Sequence, residues 1–140
     1  MSEMKIKHLG MIEDVIERMA KNSFQLKGWT MTLVALVGTL SAQGSDKKFI
    51  LFAFVPVIGF WLLDAMYLQQ ERRYQQLYKI VANKDDAEID FSLDTSLITG
   101  NVEEMKRLCY CNCLFSKTIV LFYGTIIIAV IFLLIVLKIF

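Results

Sequence analysis

Fifteen uncharged residues, Phe49–Leu63, run into a single Asp64. Four more residues, Ala65–Leu68, follow before the chain turns abruptly polar as QQERRYQQLYKIV. About twenty residues with one acid among them are long enough to cross a bilayer as a helix. The polar continuation is built from helix formers and holds neither Gly nor Pro. The stretch Phe49–Val81 therefore reads as one long helix, half suited to lipid and half to water, with Trp61, Asp64 and Tyr67 near the join.

Two further uncharged stretches flank it, Gly28–Ser45 and Thr118–Leu137. The last is almost purely β-branched, aliphatic and aromatic. The first is more polar, holding Thr30, Thr32, Thr39, Ser41 and Gln43. In a chain of 140 residues that is 56% hydrophobic, three such stretches point away from a soluble domain. The expected fold is an all-α membrane protein. Its parts are a cytoplasmic amphipathic helix over 1–27, membrane spans over 28–45, 49–68 and 118–137, a helical extension over 69–82, an acidic loop over 83–101, and a cytoplasmic helix over 102–117. The first 27 residues mix acids and bases and lack the apolar core of a signal peptide.

Lys and Arg set the orientation. The N-terminal segment carries Lys5, Lys7, Arg18, Lys21 and Lys27. The long segment 69–117 carries Arg72, Arg73, Lys79, Lys84, Lys106, Arg107 and Lys117. The short loop near Gly44 has only Lys47 and Lys48, and Lys138 lies near the end. Both rich segments are expected in the cytoplasm, and three spans then leave the C-terminus outside.

Leu9, Ile12, Ile16 and Met19 recur at helical spacing, with Val15 beside them. This helix either packs on a neighbour or lies on a membrane surface; its polar face is not dominated by bases, so attraction to anionic lipid would be weak. Only Gly28 separates it from the first span, so 3–42 reads as one continuous rod. Gly38 and Ala42 form a small-xxx-small pair that admits a close helix. Thr32, Leu36, Thr39 and Gln43 fall near one face. Either their polar groups bond to their own backbone, or the stripe lines water around a shared axis.

Gly44, Ser45 and Asp46 mark a tight turn that makes the first two spans an antiparallel hairpin. Counting outward from that turn puts Asp64 opposite Lys27. An intramembrane acid is costly and calls for a partner, so the two are expected to form a structural pair; the alternative is a gating or ion-binding acid. Pro56 should kink the second span, because it cannot donate to the carbonyl of Phe52.

The segment 83–100 holds Asp85, Asp86, Glu88, Asp90 and Asp94 against Lys84 and shows no helical period. It reads as a solvated loop and lacks the ligand pattern of a calcium loop. Asn101 followed by Glu104 resembles a capping box. Cys109, Cys111 and Cys113 are an odd set, which argues against a disulfide framework, and zinc would want a fourth ligand. With His8 the only histidine, the expectation is three buried small apolar residues, no metal, no cofactor and no enzyme.

Just inside the expected membrane boundary, Lys21, Lys27, Arg72, Arg73 and Lys79 lie at similar depth, with Phe24, Tyr74 and Tyr78 among them. Bases paired with aromatics hold single strands of nucleic acid; positive charge at the inner face is also what topology alone demands. Lys106, Arg107 and Tyr110 form a second candidate group.

The stretches NSFQLKGWTMTLVA (22–35) and FWLLDAMYLQQERRYQQLY (60–78) resemble the small membrane effectors of bacterial anti-phage defence, of the Hailong type. The resemblance covers 1–82 and is only architectural beyond. It implies a homo-oligomeric ion channel in the bacterial inner membrane. It further implies a channel held closed by a single-stranded oligodeoxyadenylate from a nucleotidyltransferase-like partner, with opening depolarising the infected cell. No residue role carries over. From the residues alone, a chain this short with three spans needs several copies to enclose a pore. A non-conducting membrane anchor that recruits a cytoplasmic protein remains the alternative.

Overall fold

Helix α1 begins at Glu3 and does not end until Ala42. Gly28 lies inside it without interrupting it. The computed structural model describes residues 2–43, 47–96 and 98–136. After α1 come a 3₁₀ segment, Lys47–Ala53, and helix α2, Phe54–Asn83. A short 3₁₀ turn, Asp86–Glu88, opens the acidic segment. Three helices complete the described chain: α3, Val102–Arg107; α4, Tyr110–Leu114; and α5, Lys117–Val136. The described residues are helical or irregular, with no strand. Gly44, Ser45 and Asp46, expected as a tight turn, lie outside the described residues, as does Leu137 at the end of the third expected span.

Two expectations need correcting. The second apolar stretch does not enter its helix at Phe49. It runs as 3₁₀ turns to Ala53, and Pro56 sits in the first turn of α2 rather than at a mid-span kink. There the missing N–H has no helical acceptor to lose, so proline is accommodated without a break. Nor is 102–117 one helix running into the last span. It is divided at Leu108–Cys109 and again at Phe115–Ser116.

The chain forms two compact units. The first comprises 1–23 and 66–113, the second 24–65 and 114–140. The first unit is built on Leu9, Ile12, Leu77, Val81 and Ile98, with Ile16, Tyr74, Tyr78, Ile89 and Leu93 packed against them. The acidic segment is thus only half a solvated loop. Its five acids are exposed, while Ile89, Leu93 and Ile98 turn inward. His8 on α1 fixes it: the ring is fully buried, Nε2 lies 2.9 Å from the carbonyl of Ser92, and the ring stands 5.5 Å from Phe91. Phe91 has a φ of 55°, the left-handed region. The Lys5 ammonium donates to the carbonyl of Lys84 at 2.7 Å.

The second unit centres on Ile50, Ala53, Val130 and Leu134, with Val34, Val37, Phe54 and Ile126 around them. Helix α5 turns Ile119, Tyr123, Val130 and Leu134 inward. Phe122, Ile126 and Ile127 are half-buried, and Leu121, Ile128, Phe132 and Ile135 among others are exposed. Among the described residues, two stretches, Lys48–Asn83 and Lys117–Val136, are long and apolar enough to cross a membrane. Their most apolar windows are only 28% and 22% buried, whereas core helices of a soluble domain bury most of theirs.

Candidate functional site

Helix α2 carries a row of polar and aromatic side chains that reach carbonyl groups elsewhere in the chain. Within the first unit, the Gln69 amide donates to the carbonyl of Leu108 at 2.9 Å. Arg72 Nη1 donates to the carbonyl of Arg107, also at 2.9 Å. These are the carbonyls at the C-terminal end of α3, which have no partner within a helix. Within the second unit, Trp61 Nε1 donates in the same way to Leu114, the last residue of α4, at 3.1 Å. Side chains from α2 thus satisfy two helix ends that α3 and α4 leave open.

In the first unit this arrangement encloses a polar cavity of 140 Å³, lined by Arg72, Gln75, Gln76, Lys79, Glu104, Arg107 and Leu108. Glu104 is held at its edge: its Oε2 accepts the backbone N–H of Asn101 at 3.0 Å and the Gln76 amide at 3.3 Å. Gly100 leaves room for the ends of both side chains. A Cβ on it would stand 2.7 Å from Glu104 Oε2 and 3.2 Å from the Gln76 amide nitrogen. Behind Arg72 lies Cys113, fully buried, whose Sγ is 3.5 Å from Arg72 Nη1 and donates to the carbonyl of Arg107. Burial pushes the Cys113 thiol pKa up, against the pull of the Arg72 charge. A thiol so placed is a poor nucleophile. Cys109 and Cys111 are exposed rather than buried. Among the described residues, no group of three His, Cys, Asp or Glu side chains is placed to hold a metal.

The expected basic and aromatic set is dispersed. Arg72 and Lys79 share the polar cavity, joined by Arg107 of the second candidate group. Tyr78 lines a separate pocket with Glu13, Ile16, Gln75 and Lys79. Tyr74 and Tyr78 both lean on the apolar cluster. Arg73 is half-buried, and Lys21 is exposed on α1, outside the cavity lining. Lys27 belongs to the second unit and is engaged there. Gln75 and Gln76 carry no sequence signal as lining residues beyond their helical register with Arg72 and Lys79 on α2, and Glu104 is legible only as the capping-box partner of Asn101.

Lys27 donates to Asp64 Oδ2 at 2.5 Å, with the Asp64 side chain fully buried and that of Lys27 19% exposed. The ammonium also stands 5.9 Å from the centre of the Phe122 ring on α5. Next to Phe122, Tyr123 is fully buried, donates to the carbonyl of Phe60 at 3.2 Å and stacks on Trp61. One ion pair and one tyrosine thus tie three helices of this unit together.

The four residues expected to face a shared axis, Thr32, Leu36, Thr39 and Gln43, are all exposed. They lie about 200° around α1 from Thr30, Val34, Val37 and Ser41, the face packed inside the unit. Thr32 donates to the carbonyl of Gly28 at 2.9 Å, and Thr39 to that of Ala35 at 2.8 Å. Gly38 is approached by Leu133 of α5, whose Cδ1 would lie 4.0 Å from a Cβ there. No family model matches the chain, and no curated protein or solved structure matches it either.

Proposed function

We propose that the chain is a three-span inner-membrane protein that assembles from several copies into an ion channel. In this reading it acts as an effector of Hailong-type anti-phage defence whose opening depolarises the infected cell. Its first unit lies in the cytoplasm and takes the controlling ligand, a single-stranded oligodeoxyadenylate or related nucleotide made by a nucleotidyltransferase-like partner. The C-terminus lies outside.

One observation carries the reading. The stripe Thr32, Leu36, Thr39 and Gln43 is exposed on the face of α1 opposite the unit's own core, so a single copy leaves it uncovered. The Gln43 amide is poorly placed against hydrocarbon, and packing against further copies of α1 would cover it together with Thr32, Leu36 and Thr39. Several copies around an axis would turn that face toward a common path. The ligand reading rests on the polar cavity, where Arg72, Lys79 and Arg107 converge. Helices α1 and α2 each contribute residues to both units, which gives a signal at the cavity a route along continuous backbone.

A second reading, a non-conducting membrane anchor, draws on the hydroxyls themselves. Thr32 and Thr39 are already bonded to their own helix and do not require water. Purified protein reconstituted in liposomes separates the two. A channel releases trapped ions in proportion to protein, and added oligodeoxyadenylate suppresses the release. An anchor leaves the ions trapped at every protein-to-lipid ratio.

A further inference from the structure

The polar cavity has a shape and a charge that favour one kind of phosphate. Its lining holds Arg72 and Lys79 from α2, and Arg107 and Glu104 from α3, which leaves two net positive charges. Glu104 already accepts two hydrogen bonds, from Asn101 and Gln76, and so stands as a fixed wall. A phosphodiester in the middle of a strand carries one negative charge. A terminal phosphomonoester carries about −1.5 to −2 at neutral pH and presents three acceptor oxygens. A strand passing through a site needs a groove open at both ends. This cavity of 140 Å³ takes one phosphate and the atoms beside it. The Gln75 and Gln76 amides line the same space and add neutral donors.

We propose that this cavity binds the terminal phosphate of a nucleic-acid strand, so that the protein reads the end of its ligand rather than an internal stretch. The inference rests on the ligand reading given above and narrows it to a chemical group. Arg72 is partly committed, since Nη1 serves the Arg107 carbonyl. Lys79 and Arg107, both exposed, supply the charges able to move onto the ligand.

The test uses the full chain in detergent and short oligodeoxyadenylates carrying a phosphate at the 5′ end, at the 3′ end, or at neither. One phosphorylated form should bind at least about tenfold more tightly than the unphosphorylated strand, a difference of about 1.4 kcal/mol. Inorganic phosphate should compete with that form alone. Lys79→Gln and Arg107→Gln should each erase the preference, and Arg107→Lys should keep part of it. Arg72→Ala is a poor probe, because it also uncaps α3. Equal binding of all three strands would overturn the inference and leave the oligonucleotide reading standing. So would a preference that both variants leave intact, since the end would then be read elsewhere. Binding of no strand, with capture of phosphatidic acid vesicles instead, would make this a lipid site and remove both. Absence of any phosphate binding would do the same.

Discussion

Asp64 is the most exposed to error of any residue in the chain, because it is a carboxylate with no access to solvent. Its partner Lys27, on helix α1, lies at 2.5 Å. Removing one member of a buried pair leaves the other uncompensated, at a cost of about 3–5 kcal/mol. Asp64→Asn and Lys27→Met should each lower the melting temperature and folded yield in detergent. The double exchange Asp64→Lys with Lys27→Asp should recover part of the loss, and strict additivity would mean that the pair does not couple. A second pair of carboxylates works at the surface of the other unit. Asp90 Oδ1 accepts the N–H of Ser92, which holds its pKa below the ordinary 3.8, helped by the charge of Lys84. Asp94 Oδ1 accepts the N–H of Ser96 at 2.8 Å and is lowered for the same reason. A depressed carboxylate contributes stability that is complete above its unfolded value and is lost as pH falls through the folded one. Protection of the Ser92 and Ser96 amides, taken relative to their intrinsic exchange rates at each pH, should therefore hold steady down to about pH 4 and fall below it. The same exchange in Asp90→Asn should be fast at Ser92 at neutral pH.

At the scale of elements, what the sequence made legible followed from composition and period. The unbroken α1 came from the absence of a strong breaker between Glu3 and Ala42, and the hairpin partner of Asp64 from counting outward from one turn. The divisions after Arg107 and Leu114 were not legible, because no Gly or Pro marks either one. Their cause is tertiary: Gln69, Arg72 and Trp61 on α2 donate to the carbonyls at those ends, and that makes stopping as favourable as continuing. The cavity was hidden for the same reason, since Glu104 and Arg107 meet Gln76 and Arg72 only once α3 has stopped short. Pro56 misled in the other direction. A proline deep in a helix costs about 3 kcal/mol, but one in the first turn costs little. Pro56→Ala should accordingly shift stability by no more than about 1 kcal/mol in a thermal melt of the solubilised protein. A large gain on replacement would mean that the helix begins upstream of Phe54 and that the proline strains it.

For the whole molecule, the first apolar stretch distinguishes the three crossings proposed above from two. Two stretches are apolar enough by themselves to cross. The 28–42 part of α1 is interrupted by Thr30, Thr32, Thr39 and Ser41, each of which returns its hydroxyl to a carbonyl four residues back. That bond removes much of the penalty of carrying a hydroxyl into hydrocarbon. Trp29, Leu36 and Leu40 project outward from the same segment, and Val34 and Val37 pack on the apolar cluster beside residues of α5. Such a helix suits hydrocarbon better than its composition suggests, because its hydroxyls are satisfied locally. Three crossings place the two ends of the chain on opposite sides, and two place them together. Single cysteines introduced near each end, in a background with Cys109, Cys111 and Cys113 replaced by Ser, report this through a membrane-impermeant thiol reagent applied to intact cells. The C-terminal position should react and the N-terminal one should react only after lysis. If the proposed channel forms, cysteines at 32, 36, 39 and 43 in the same background should react from water, and exposed positions on α5 such as 128 and 135 should not. Reaction at 128 and 135 with silence at the other four would put α5 on the shared axis and return α1 to lipid.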